Sequence, residues 1–177
     1  MQYPIIEGLN GVLWVFVFLV NGMNMMSVVY CLMTSALLVL SVIDWRTFEI
    51  PFGINVFLGI LGIVAVVLDK GEGLNHVIGA VCVSGFLLLL YLLSQGRAIG
   101  GGDIKLMAAC GLLLGWQKSI LAFLLGCILG SVIHLFRMKI SKEDHVLAMG
   151  PYLAAGIFLA ALFGGQWIHW YLDVLGI

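Results

Sequence analysis

The chain has 177 residues, of which 63% are hydrophobic and only 10% charged, with eight Lys and Arg against nine Asp and Glu and a formal net charge of −1. A soluble domain carries about 25% charged residues, and the mean hydropathy here is +1.17. That excludes a water-soluble enzyme, a nucleic-acid binder and a disordered chain, and leaves a polytopic membrane protein.

At roughly 20 apolar residues per crossing, the length admits about six or seven helices. The expected fold class is therefore all-α, a polytopic transmembrane helix bundle with the bilayer as its surroundings and residues 1–177 forming one domain. Met1 to Glu7 contain no Lys or Arg, so the start reads as a retained first helix rather than a cleaved signal peptide. Apolar segments follow at about 9–22, 25–43, 54–68, 75–93, 104–116, 118–136 and 147–164, with an aromatic tail from Gln166 to Ile177. The short connections predict antiparallel neighbours throughout.

Alternate connections carry Arg46, then Arg97 with Lys105, then Arg137, Lys139 and Lys142, whereas the opposite side has Lys70 and Lys118. Basic residues accumulate in cytoplasmic loops, so the first set is expected in the cytoplasm, with the N-terminus inside and the tail outside. Trp14, Trp45, Trp116, Trp167 and Trp170 read as an interfacial belt. Gly111 with Gly115, and Gly126 with Gly130, form G-x-x-x-G pairs that let helix backbones approach. Cys31, Cys82, Cys110 and Cys127 lie in apolar stretches without a C-x-x-C pair, which marks them as packing residues.

The carboxylates are more informative. Glu7, Asp69, Glu72, Glu143, Asp144 and Asp173 fall in loops or tails and read as solvated. Asp44 closes the second apolar run, Glu49 follows it, and Asp103 follows Gly100, Gly101 and Gly102 at the start of the fifth. Tracing the crossings puts Asp44 and Asp103 on one membrane face. The fifth segment, Ile104 to Trp116, spans only about 20 Å against a hydrocarbon core of about 30 Å. Asp103 is thus expected below the membrane surface, where irregular backbone is tolerated only along a cavity and an ionisable group is a functional candidate. Each also has a structural alternative: Asp103 as a helix N-cap, Asp44 as a partner of Arg46.

Two carboxylates within a few Å share one proton, and such a pair can activate water against an amide carbonyl. A metal site is the competing chemistry, but His76, His134, His145 and His169 lie elsewhere in the pattern and no H-E-x-x-H occurs, so no metal or other cofactor is expected. The His residues read as surface or packing groups.

The run Ile43-Asp44-Trp45-Arg46-Thr47-Phe48-Glu49-Ile50-Pro51, followed by Gly100-Gly101-Gly102-Asp103-Ile104-Lys105-Leu106 and then Met149-Gly150-Pro151-Tyr152-Leu153-Ala154, resembles the type IV prepilin peptidases and their preflagellin relatives. The resemblance covers about residues 25–164. It implies a membrane aspartyl endopeptidase with Asp44 and Asp103 as catalytic residues and Gly100, Gly101 and Gly102 along the bound substrate. It also implies a prepilin-like partner with a basic leader and a hydrophobic helix, cut at the cytoplasmic face of the inner membrane. Lys105 matches the family's Lys without an assigned role, and Phe52 stands where many members carry Asn or Asp. The larger members add a domain with paired C-x-x-C motifs linked to N-methylation; here the first two apolar runs are only a few residues apart, which predicts peptidase without methyltransferase activity. The alternative from another class is a small ion- or proton-coupled transporter using Asp44 and Asp103, since transporters also use broken, glycine-rich approaches to short helices. A scaffold whose glycines serve packing alone is the third. Oligomeric state is left open.

Overall fold

A computed structural model describes residues 3–69, 71–96, 99–140 and 148–176. Seven helices make up the described residues: α1 (Tyr3–Asn21), α2 (Met25–Thr47), α3 (Phe52–Leu68), α4 (Gly73–Leu93), α5 (Gly101–Leu114), α6 (Trp116–Ile140) and α7 (Gly150–Leu175), with no strand among them. Five of them, all but α3 and α5, are long and apolar enough to cross a membrane. The outer surface is apolar, as on α1, where Ile5, Val12 and Leu19 are exposed, and on α4, where Leu74, Val81 and Leu92 are. In lipid that arrangement costs nothing, because every helix satisfies its own backbone. The protein is an integral membrane protein.

Local chemistry sets the ends of the helices. The Asn24 side chain accepts the Ser27 amide at 2.8 Å and starts α2, a favoured N-cap. Phe48, in the left-handed region at φ 54, stops α2. Three residues later Pro51 precedes α3, so the chain reverses within a tight elbow immediately after Asp44.

α5 sits innermost, packed on α3 and α4 and touching α6 and α7. Leu106, Met107, Cys110 and Leu113 on it are essentially unexposed. Close approach to α4 depends on glycine: a side chain on Gly111 or Gly79 would collide with the other's backbone. The G-x-x-x-G reading of Gly111 is therefore a real helix contact. α6 and α7 form a second extensive pair, and α2 joins α1, α3 and α7.

The structure revises several expectations. Consecutive α3 and α4 hardly touch, because α5 lies between them. The aromatic tail is not separate; α7 runs on through Trp167 and Trp170 to Leu175. Trp14 lies inside α1, where its Nε1–H donates to Ser35 Oγ at 3.0 Å, so it is a packing residue and not part of a belt. Gly101 and Gly102 are the first turn of α5 rather than loop. Lys70, Arg97, Lys142, Glu143, Asp144, His145 and the expected segment start at 147 lie outside the described residues, as do the side chains of Arg137 and Lys139.

Candidate active site

The end of α2, the starts of α3, α5 and α7, and the short stretch before α7 converge at one end of the bundle. They enclose a cavity of about 430 Å³ lined by Asp44, Asp103, Glu49, Asn55, Lys105 and all three glycines of the Gly100–Gly102 run, among others. Residues 59 positions apart in sequence thus face one space.

Asp44 is 5% exposed, so a bilayer-facing or solvated role does not account for it. Its Oδ2 accepts the backbone N–H of Gly150 at 2.9 Å, across 106 residues. Gly150 is the first residue of α7, with Pro151 next; such a helix start presents unpaired N–H groups to an anion. The contact needs glycine, since a Cβ at Gly150 would lie 2.7 Å from Asp44 Oδ2.

Asp103 is the third residue of α5, with Gly100 as N-cap. Its carboxylate takes a hydrogen bond from the Gly100 backbone, the reach-back half of a capping box. The N-cap alternative is therefore displaced by three residues: Asp103 serves the cap while facing the cavity. Gly102 packs against Ile50, where a Cβ would come within 2.9 Å, and this holds the α2–α3 elbow onto the first turn of α5. Gly101 has open space around its Cα.

Three features of the cavity do not follow from the sequence pattern. Phe52, the departure from the pattern, stands at the rim with the Lys105 Nζ over its ring, 5.5 Å from the centroid, a cation–π distance. Within the Gly150–Pro151 motif the donor is the Gly150 amide, at a helix start that leaves its first N–H groups unpaired. Asn55 was passed over inside an apolar helix. No group of three or more metal-binding side chains occurs among the described residues.

A second, apolar hollow of about 300 Å³ shares Gly100, Asp103 and Met149 with the first and is walled further by Leu87, Leu90, Ile99, Phe123 and Leu153. Asp103 therefore stands between a polar and an apolar space.

A sequence profile described as the type IV leader peptidase family matches residues 31–135. Curated relatives include proteins named prepilin leader peptidase/N-methyltransferase from Aeromonas salmonicida (strain A449), 31% identical over 98% of this chain and 62% of the relative. Others are from Pectobacterium carotovorum subsp. carotovorum, 33% identical over 93% and 62%, and Pseudomonas putida, 28% identical over 99% and 64%. The chain spans less than two thirds of the length of these relatives. No solved structure matches it significantly.

Proposed function

The chain belongs to the type IV leader peptidase family, and from that premise we propose that it is a membrane aspartyl endopeptidase that removes leader peptides from prepilin-like precursors. The single observation that carries the mechanism is the shared cavity: Asp44 and Asp103, brought from α2 and α5, line one space against which an extended peptide can lie.

In the proposed reaction one carboxyl group is ionised and the other protonated. The ionised one takes a proton from a water between them as the water oxygen attacks the scissile carbonyl carbon. The protonated one gives its proton to the carbonyl oxygen, forming a tetrahedral diol. Collapse of the diol breaks the C–N bond as the first carboxyl, now protonated, gives its proton to the departing amine and the second, now ionised, takes one from a diol hydroxyl. The proton inventory is conserved and no cofactor enters. The Gly150 amide and the Gly100 backbone fix the two carboxylates, which is the preorganisation that water activation needs.

Glu49, exposed beside the cavity, suits the basic leader, and the apolar hollow beyond Asp103 suits the first hydrophobic residues after the cut. The positive-inside distribution supports a setting of this end of the bundle at the cytoplasmic face of the inner membrane. The seven helices act as one peptidase unit. The link between α1 and α2 is three residues long, too short for an inserted domain there.

Co-expression with a pilin-like precursor tests the reading. It predicts a mass loss equal to the leader, and no mass loss with Asp44→Asn or Asp103→Asn. A wild-type chain that leaves every such precursor intact would overturn it.

A further inference from the structure

The Asn55 carboxamide, on α3, is buried in the wall of the catalytic cavity: the residue is 5% exposed, and neither Oδ1 nor Nδ2 has a hydrogen-bond partner among the described residues. Elsewhere in the described bundle Ser27, Thr34 and Ser119 are paired to backbone carbonyls, and Asn21 Nδ2 and the Tyr152 hydroxyl are also without a partner, but of these unpartnered residues Asn55 is the one that lines the cavity and lacks both a donor's and an acceptor's bond. A buried amide left without either bond is a standing cost, and a Leu of similar size at this place would remove it. The cost has a use only if a partner arrives.

The partner must offer one acceptor and one donor side by side, in a space that already holds the two proposed catalytic carboxylates. An extended peptide presents that combination: the N–H and C=O of one residue point to the same side of the chain. We propose that Asn55 is a substrate-positioning residue whose Nδ2–H and Oδ1 pair with the C=O and N–H of one residue of the extended segment beside the scissile bond. This rests on the peptidase reading and adds to it a group that reads backbone, not side chain. Such pairing fixes the register of the scissile carbonyl against Asp44 and Asp103 whatever the leader's sequence. Phe52, one turn earlier on the same face of α3 and 66% exposed, lies with Lys105 at the rim.

The test uses the purified full chain in detergent, a pilin-like precursor, and synthetic leader-spanning peptides in which an ester replaces one backbone amide at a time. Asn55→Leu is expected to unfold at the wild-type temperature or above it, while kcat/KM falls about 10- to 100-fold, the span that one to two unmade hydrogen bonds imply. An ester at the paired residue is expected to slow wild-type cleavage and to have no further effect on Asn55→Leu. Wild-type kcat/KM in Asn55→Leu with an undiminished ester effect would overturn the proposal. So would a lowered unfolding temperature with full activity per folded molecule, which makes the amide a packing element. If Asn55→Leu does not fold, Asn55→Ala takes its place, and indifference of the wild type to every ester position overturns the proposal independently. Wild-type cleavage with these negative results fails the Asn55 proposal alone; no wild-type cleavage fails the peptidase reading with it.

Discussion

At the end of α5 away from the cavity, His76 is only 3% exposed, yet both ring nitrogens are engaged: Nδ1 with the Leu112 carbonyl at 2.8 Å, Nε2 with Asp69 Oδ2 at 3.2 Å. A carbonyl only accepts, so Nδ1 carries a proton. Beside it, Asn75 accepts the Trp116 amide at 3.0 Å and donates to Glu72 at 2.8 Å. At the cavity end, Asn55 makes no such bond, and Asp44 is held by one backbone amide above an open space. Both ends bury polar side chains against the same short helix. The far end closes its bonds and so fixes where α5 stops. The near end leaves groups unspent, and it is there that a substrate can be held.

The contrast can be broken from either side. The largest effect is expected from Asp44→Asn and Asp103→Asn, each lowering cleavage at least about 1,000-fold with the unfolding temperature unchanged within a few degrees. Gly150→Ala comes next. Its methyl group would sit 2.9 Å from Asp44 Cγ, and the displaced carboxylate should cost about 100-fold in kcat, measured with a precursor at saturation. His76→Leu should do the reverse. It leaves the Leu112 carbonyl and Asp69 without their partner, destabilising the fold by about 1–3 kcal/mol, while kcat per folded molecule stays at the wild-type value. An unchanged unfolding midpoint in that variant would make the far end something other than a clamp. The smallest effect belongs to Gly101→Ala, where nothing lies within 4 Å of the added methyl. The unfolding temperature should stay within a few degrees of the wild type, although Gly101 belongs to the same glycine run as Gly102, whose Cβ would press on Ile50.

Much of this was legible in the sequence. Charge scarcity marked the membrane, and sorting the few acids by side brought Asp44 and Asp103 to one end. What stayed hidden depends on contacts between distant segments. An Asn in an apolar helix looks the same whether its amide is paired or not, so Asn55 carried no mark. His76 read as a surface or packing group because nothing local announces Leu112, 36 residues on, as its acceptor. Trp14 looked like an anchor until Ser35 of the next helix gave it a partner. The triple glycine read as loop because glycine weakens helices; packing against α3 and α4 and the reach-back of Asp103 to Gly100 offset that preference.

The central claim, that two carboxylates from α2 and α5 act as one catalytic pair, has a direct measurement. Purified wild type, Asp44→Asn and Asp103→Asn are each incubated with the same pilin-like precursor, and leader release is followed by mass alongside the thermal unfolding of each protein. The account predicts release by the wild type and none by either variant, with all three folded. Release by either folded variant at a rate near that of the wild type would contradict it.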